Sequence, residues 1–233
     1  MALGNATIRS HGSPVPEDGR DTVSAGSAAA EHGNARRRRF TREESRVRIV
    51  RAAESLIREK GVAHASIGDV ATILGMTTAN IYRHFSSKKA LADAVCGTLG
   101  GIAIGRLSSV IATNMPAAVK LRNLVRENAR NNAIHVYSDP HILDLLRLAA
   151  LENWPAFAGA RRGFRDLLER IIRDGIDEGS FRADLDPGVA DTVLLMLSPV
   201  MHPLLQQEIA PAVFDAEADR MIDLLIRAIK VEV

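Results

Sequence analysis

The residues best suited to contact nucleic acid lie together in one short segment near residue 80. They are Thr78, Ala79, Asn80, Tyr82, Arg83 and His84. A helix that enters the major groove of DNA needs small or polar residues in its first turn, because it must approach the base edges closely there. The first three residues meet that requirement, and the last three offer a hydroxyl, a guanidinium and an imidazole to phosphates or bases. Ile81 and Phe85, four residues apart, would hold this helix to the core.

A pair of lysines, Lys88 and Lys89, follows this segment. Ser86 or Ser87 is placed to cap a helix that begins at Lys88, so both lysines fall in its first turn. Positive side chains are disfavoured there, because the helix dipole already places positive charge at that end. A compensating anion would explain them, and a DNA phosphate is the natural one. The alternative is two solvated lysines, each at a cost of roughly a few tenths of a kcal/mol.

Three predicted helices precede the lysine pair and position the segment. Thr41 begins the first helix in a capping-box sequence, and Gly61 ends it. Ser66 caps a short second helix that ends at Gly75, and Thr77 caps the third. A turn of three or four residues that contains glycine joins the second and third helices. This is the arrangement of a helix-turn-helix unit.

Positive charge is concentrated around this unit. The whole chain of 233 residues has 30 Lys and Arg against 28 Asp and Glu, a formal net charge of +2. Residues 36–91 alone carry +8, whereas residues 1–35 carry −2 and residues 92–233 carry −4. A basic block ahead of a mildly acidic remainder is expected of an anion-binding module joined to a second part. A solvated charged face gives the same count, so the inference depends on the coincidence of the block with the helix-turn-helix unit.

Residues 66–91 resemble the tetracycline-repressor (TetR) family of bacterial one-component regulators. The motifs that carry the resemblance, in order and spacing, are Gly75-Met76-Thr77, Ile81-Tyr82-Arg83-His84-Phe85 and Ser87-Lys88-Lys89-Ala90-Leu91. Met76 is a conservative departure from the more usual Val. The family's DNA-facing positions fall on Thr78, Ala79, Asn80, Tyr82, Arg83, His84 and Lys88, with Ser66 near a phosphate. The resemblance implies a homodimer bound to a palindromic or near-palindromic operator in double-stranded DNA.

The rest of the chain matches the family only in architecture. Its pattern is helical throughout, with helices predicted near 88–110, 117–136, 140–152, 155–178, 187–208 and 213–231. Asp139-Pro140 and Asp186-Pro187 each pair an N-cap acid with a proline suited to the first helical position. Pro203 is expected to kink the fifth of these helices, and Gly100-Gly101 to bend the first. The resemblance implies a ligand cavity among residues 95–180 and dimerisation through the last two helices.

Several large side chains of this part are candidates to line the cavity. They are Tyr137, Trp154, Phe157, Phe164 and Met196. Apolar residues at helical spacing are most often plain core, and that interpretation stays open for each of them. The apolar runs 193–197 and 221–226 are suited to a four-helix dimer interface. Because the predicted helices offer few ionisable groups on their inward faces, we expect a small apolar or amphipathic effector.

The first 35 residues are predicted to form a disordered tail. They contain eleven Gly, Pro and Ser but only four Leu, Ile, Val or Phe, too few to offset the entropy of ordering. Four arginines follow, at Arg36, Arg37, Arg38 and Arg39. These form either an arm that follows the adjacent minor groove or a solubilising disordered stretch. The predicted organisation is a tail over 1–35, a DNA-binding domain over 36–91 and a ligand-binding and dimerisation domain over 92–233.

The composition argues against several other classes of protein. Only 4% of the residues are aromatic and helix formers dominate, which predicts an all-α fold. A single cysteine, Cys96, cannot form an internal disulfide and suits a reducing cytoplasm. His135 and His141 have no metal-ligand spacing, and no metal or cofactor is expected. The longest apolar stretch, near residues 193–201, falls short of the ~20 residues of a membrane span, so no membrane partner is expected.

These inferences converge on a dimeric, sequence-specific DNA-binding transcriptional regulator, a repressor that a small effector releases from its operator. The alternative from another class is a helical ligand-binding protein or enzyme whose basic N-terminal region is incidental. That alternative is disfavoured, because the sequence contains no recognisable nucleophile, acid–base pair or metal cluster.

Overall fold

The structure, a computed structural model, describes residues 40–205 and 211–231. The helices are α1 (Arg42–His64), α2 (Ile67–Leu74), α3 (Thr78–Tyr82), α4 (Lys88–Ile111), α5 (Ala117–Asn132), α6 (Pro140–Leu151), α7 (Pro155–Asp177), α8 (Val189–Met201) and α9 (Pro211–Ile229). A π-helical turn, Ala133–Tyr137, lies between α5 and α6. Apart from one antiparallel bridge between Phe181 and Lys230, the regular structure of these residues is helical. The predicted all-α fold is confirmed, whereas the predicted tail and the four arginines at 36–39 lie outside the described residues.

The first three helices begin at their predicted capping residues, but α1 continues past the predicted stop at Gly61 to His64. Thr41 and Ser66 each form a reciprocal capping box, and the Thr77 hydroxyl accepts a hydrogen bond from the backbone N–H of Asn80. Gly75 ends α2 in the left-handed conformation, with φ 61° and ψ 36°. Gly61 interrupts α1 near its end, with φ 80° and ψ 157°. Both glycines are therefore required by the backbone they support.

The buried apolar side chains form two clusters. The N-terminal cluster contains residues from α1, α2, α3, the first turns of α4, and α6, together with Trp154. The bundle cluster contains residues from the end of α4 and from α5, α7, α8 and α9. The division of the core therefore differs from the domain boundary predicted after residue 91. Helix α6 follows that boundary in sequence but packs in the same cluster as the helix-turn-helix unit.

Helix α4 connects the two clusters. Val95 near its start is buried in the N-terminal cluster, and Leu107 near its end is buried in the bundle cluster. By length and composition alone α4 could cross a membrane. The expectation that no apolar stretch reaches that length is therefore wrong. Within this fold, α4 packs against α1, α5, α6 and α7, although Ile102 in its middle is 48% exposed.

Helix α8 is shorter than the predicted range 187–208. It ends at Met201, because His202 precedes Pro203 and takes the extended conformation that a following proline favours (ψ 125°). Pro203 therefore lies in the turn after α8 and does not kink it. At the other end, the Asp186 carboxylate accepts a hydrogen bond from the backbone N–H of Gly188 at 2.6 Å, and α8 begins at Val189. The predicted bend at Gly100-Gly101 does not interrupt α4, which is continuous from Lys88 to Ile111.

Two glycines should respond in opposite ways to substitution by alanine. A Cβ added to Gly175 in α7 would overlap the ring of Phe181, which is itself buried. A Cβ added to Gly105 in α4 would meet no atom within 4 Å. We expect Gly175→Ala to lower the free energy of unfolding by about 1–3 kcal/mol through overpacking. Gly105→Ala should raise it by up to about 1 kcal/mol, because it favours the helix.

Chemical denaturation of the two variants beside the wild-type protein measures these changes. Equal stability of Gly175→Ala and wild type would contradict the contact between Gly175 and Phe181.

Candidate nucleic-acid interface

Helix α3 is held in place from its inner side. Ile81 is fully buried and Phe85, just beyond the helix, is 2% exposed, both in the N-terminal cluster. The Arg46 guanidinium lies 4.2 Å from the centroid of the Phe85 ring and donates a hydrogen bond to the His84 carbonyl oxygen at 2.9 Å. The two apolar anchors and this contact from α1 fix the orientation of α3.

The outer side of α3 carries the residues predicted to contact DNA. Thr78, Ala79, Tyr82 and Arg83 are exposed, and Asn80 and His84 are partly exposed. Tyr82 is 53% exposed, which is unusual for a residue with a large apolar ring. The structure thus brings these six residues together at one surface. A hydroxyl, an amide and a guanidinium lie there beside small side chains that permit close approach.

Two arginines of α1 join this surface, and the sequence motif did not indicate them. Burial, and then the charges of Arg42, Arg83 and Arg46, hold the pKa of His84 below its ordinary value. Arg42 and Arg46 must therefore lie near the end of α3, although they are about forty positions earlier in the sequence. In the sequence, Arg42 and Arg46 were indicated only by their place in the basic block of residues 36–91. The surface is consequently more positive than α3 alone would make it.

The two lysines at the start of α4 have partners within the chain. Lys88 Nζ donates a hydrogen bond to the Ala63 carbonyl oxygen at 2.6 Å, at the end of α1. Lys89 Nζ lies 2.6 Å from Glu152 Oε2 and 5.6 Å from the centroid of the Trp154 ring. A protein carboxylate therefore supplies the anion for Lys89, and a DNA phosphate is not needed to explain it. Lys88 remains exposed beside the helix-turn-helix unit.

Ser66 lies at the N-terminus of α2, and its hydroxyl is already used. It accepts a hydrogen bond from the backbone N–H of Asp69 at 3.1 Å and donates one to Asp69 Oδ2 at 2.8 Å. Lys60 pairs with the same carboxylate at 2.7 Å. Hydrogen bonds from Lys60 and Ser66 lower the pKa of Asp69 to about 2. Ser66 thus caps α2 first, and a phosphate there would have to compete with Asp69 for its hydroxyl proton.

The five candidate cavity residues do not meet at one place. Trp154 is 2% exposed in the N-terminal cluster, where its Nε1 donates to Glu152 Oε2 at 2.8 Å. Phe157 packs at the edge of the same cluster, whereas Phe164 packs on the bundle cluster. The Tyr137 hydroxyl donates to the Pro203 carbonyl oxygen at 2.9 Å, and burial raises its pKa. Met196 is 48% exposed on α8, so its side chain does not line the interior of this chain.

Polar side chains that the sequence did not indicate are buried beside α4 and α8. Asn128, Asn131 and Asn132 of α5 are between 2% and 8% exposed. The Asn128 amide donates to the Met201 carbonyl oxygen at 2.8 Å. Arg106 of α4 donates to Asn131 Oδ1 at 2.9 Å. The interior of the second part is therefore more polar than the helical pattern predicted.

Two further expectations concern cysteine and metal. Cys96 is 4% exposed in the N-terminal cluster, as expected of a small buried residue. Burial raises the pKa of its thiol to about 12, which keeps the thiol protonated. Over residues 40–205 and 211–231, no group of three or more His, Cys, Asp or Glu side chains is placed to hold a metal ion.

A helix-turn-helix unit with an exposed recognition helix, joined to a helical bundle, defines a DNA-binding transcriptional regulator. Comparison with protein families agrees with this class. Residues 49–95 match the model of the bacterial regulatory proteins of the tetR family. Residues 117–222 match the model of a tetracyclin repressor-like C-terminal domain. The chain belongs to the TetR family.

Characterised relatives are repressors and regulators of the same family. The chain is 25% identical over 150 residues to the HTH-type transcriptional repressor KstR2 of Rhodococcus jostii, covering 62% of this chain and 72% of that protein. It is 36% identical over 64 residues to the HTH-type transcriptional regulator TtgR of Pseudomonas putida, covering 28% of this chain and 30% of that one. A solved TetR-family regulator from Pectobacterium atrosepticum has a TM-score of 0.65 at 23% identity, over 82% of this chain and 96% of that chain. The structural likeness shows the shared fold.

DNA binding is expected to be linked to protonation of His84. In the free protein, burial and three arginines keep the pKa of His84 low. DNA phosphates against this surface would offset the arginine charges and raise that pKa. The complex then binds more protons than the free protein between the two pKa values, so operator affinity should increase as the pH falls.

Operator affinity measured between about pH 7.5 and pH 5.5 tests this link, and the increase should stay below about tenfold per pH unit for one group. His84→Gln should flatten the profile. A wild-type profile identical to that of His84→Gln would contradict the link.

Proposed function

We propose that this protein is a homodimeric repressor that binds a palindromic or near-palindromic operator and is released from it by a small effector. The observation that carries the proposal is the outer surface of α3, where small and polar side chains lie beside three arginines. The alternative, a helical enzyme or ligand carrier, gives no reason for an exposed recognition helix in a basic surface.

The proposed DNA contacts divide into two groups. Thr78, Ala79 and Asn80, in the first turn of α3, read base edges in the major groove. A second group positions the protein on the phosphates: Ser66, Tyr82, Arg83, His84 and Lys88, to which we add Arg42 and Arg46. The arginines at 36–39 precede this surface in sequence, and we propose that they follow the adjacent minor groove.

Dimerisation is proposed to occur through α8 and α9. Leu195 and Met196 on α8 are 67% and 48% exposed, and Leu224 on α9 is 65% exposed. Large apolar side chains this exposed on two neighbouring helices support a covering partner, and a second copy of the chain supplies one. Met196 is therefore assigned to the dimer interface and not to the ligand cavity.

The effector is proposed to be amphipathic. Ile102, in the middle of α4, is 48% exposed and lies one helical turn before Arg106. Arg106 in turn contacts the buried Asn131. An apolar body beside Ile102 with a polar end near Arg106 fits this arrangement. An effector that weakens operator binding must itself bind more weakly to the DNA-bound protein.

We place the repressor and its operator in the cytoplasm.

Selection from random DNA duplexes by the wild-type protein tests the function directly. We expect enrichment of two related half-sites in inverted orientation. Lys88→Ala should weaken binding to all enriched sequences similarly and reduce the salt dependence by about one counterion. Asn80→Ala should instead lower discrimination at particular base pairs by about 1–3 kcal/mol. If no sequence is enriched, the proposed function fails and a ligand carrier or enzyme becomes the better interpretation.

The dimer interface has a matched pair of variants. The double variant Leu195→Glu, Leu224→Glu places charge on the proposed interface and should produce monomers with operator affinity at least about a hundredfold lower, since two half-sites are no longer held together. Leu151→Glu is the control, because Leu151 is 80% exposed on α6 and lies outside α8 and α9. Analytical ultracentrifugation gives the oligomeric state, and a gel shift gives the affinity. A dimeric double variant would exclude this interface.

A further inference from the structure

Helix α6 is joined at both ends to helices of the N-terminal cluster. At its start, Asp139 Oδ2 lies 2.8 Å from Arg58 Nη1 on α1. At its end, Glu152 Oε2 lies 2.6 Å from Lys89 Nζ in the first turn of α4. Between these pairs, Leu145 is fully buried in the N-terminal cluster. Helix α6 is therefore fastened to the part of the protein that presents α3.

The contact of Arg58 on α1 with Asp139 and His141 at the start of α6, which we call the joint, involves both the side chain and the backbone of Arg58. Asp139 Oδ1 accepts hydrogen bonds from the backbone N–H groups of His141 and Ile142 at 3.1 and 3.2 Å, which caps α6. Its second oxygen is left for the Arg58 guanidinium. His141 Nδ1 lies 2.8 Å from the Arg58 carbonyl oxygen. The side chains of Arg58 and Asp139 are 36% and 18% exposed, so water screens this pair less than an exposed one.

The fit around this joint is close. A Cβ on Gly61 would lie 3.3 Å from the His141 ring, so this glycine leaves room for the ring as well as adopting a positive φ. Glu54, one turn before Arg58 on α1, pairs with the same guanidinium at 2.9 Å and holds it in position. The joint therefore has a defined geometry on both helices.

The chain that enters α6 is held to the end of α8. The Tyr137 hydroxyl donates to the Pro203 carbonyl oxygen, two residues beyond α8. The amides of Asn128 and Asn132 both donate to the Met201 carbonyl oxygen, at 2.8 and 3.4 Å. The path from α8 to the helix-turn-helix unit thus runs through the π-helical turn and α6. It is separate from the path along α4.

Along α4, one side of the helix has no close neighbours at two glycines. Gly101 and Gly105 lie in the middle of α4, and no atom lies within 4 Å of where their Cβ atoms would be. Glycines in the interior of a helix weaken it relative to alanine. Neither glycine is explained by close packing, so this side of α4 adds little to fixing an orientation, whereas its other side packs on α7.

We propose that Arg58 and Asp139 are positioning residues that set the orientation of α1–α3 relative to α8, and thereby the separation of the two α3 helices in the dimer. The proposal rests on the proposed function, because it requires dimerisation through α8 and α9. If the pair is lost, the helix-turn-helix unit should accept more than one separation of the half-sites, while each half-site is read as before.

Asp139→Asn is the sharpest variant. An amide oxygen can still cap α6, but the charge that pairs with Arg58 is gone. Arg58→Met removes the same pair from the other side and leaves the cap intact. Glu54→Gln is the matched control, because it removes only the charge of Glu54, while the amide oxygen of glutamine can still accept the hydrogen bond that positions Arg58 for the contact with α6.

Two DNA duplexes serve as probes: the operator selected by the wild-type dimer, and the same half-sites with one base pair inserted between them. We expect the wild type to prefer the original spacing by about tenfold or more, since the insertion moves and rotates one half-site. In Asp139→Asn and in Arg58→Met the preference should fall to about threefold or less, and the double variant should resemble either single one. Glu54→Gln should keep the wild-type preference.

The spacing preference separates positioning from a purely structural role. Variants that melt at a lower temperature but keep the wild-type preference would overturn the proposal. If Asp139→Asn does not fold, Arg58→Met decides the test with the cap unaltered, and Arg58→Lys, which keeps the charge, should restore most of the preference. A wild-type protein that selects no DNA would instead defeat the proposed function, so the two failures are distinguishable.

Discussion

A helix of five residues is too short to be stable by itself, so the placement of α3 depends on the packing of Ile81 and Phe85 into the N-terminal cluster. Both anchors are at most 2% exposed, and Arg46 closes over Phe85 from α1. Because the inner side supplies the stability, the outer side is free to carry residues chosen for DNA. Ala79 and Thr78 can be small and Tyr82 can be exposed without loss of the fold.

The same constraint explains why the N-terminal cluster includes α6. By themselves α1, α2 and α3 bury only a small core, and a small core gives limited stability. Residues of α6, with Trp154 after it, enlarge that core. Helix α6 also connects the two clusters, since the chain enters it from α5 and leaves it to α7, and both of these helices contribute to the bundle cluster. The element that stabilises the DNA-binding part is thus one through which the bundle can reorient it.

The features that local chemistry determines were predictable from the sequence. Helix ends are fixed by the capping boxes at Thr41 and Ser66 and by the left-handed Gly75. Each of these caps involves residues only a few positions apart in the sequence, so their spacing was sufficient to predict it. The placement of Trp154 was not predictable, because a large apolar residue suits a core or a cavity equally well. Contacts between distant segments, such as Arg46 with His84, depend on the tertiary fold and have no local signal.

The end of α8 was also not predictable from the sequence, because it depends on contacts with a distant segment. A residue that precedes a proline avoids the helical conformation. The presence of Pro203 was therefore compatible with a helix that ends before it and with a kink inside a longer helix. What decides between them is the surroundings of Met201, whose carbonyl oxygen is taken by the amides of Asn128 and Asn132. Two buried amides need acceptors, and the last carbonyls of a helix are free to accept.

Lys88 shows how one side chain can satisfy both the fold and the proposed interface. Its position in the first turn of α4 is unfavourable for a cation, and its bond to the Ala63 carbonyl oxygen compensates for this within the chain. An ammonium group has three donors, and Ala63 uses one of them. The contact with Ala63 therefore reduces the dipole penalty within the chain, and it leaves two donors of the ammonium group for the phosphate of the proposed interface.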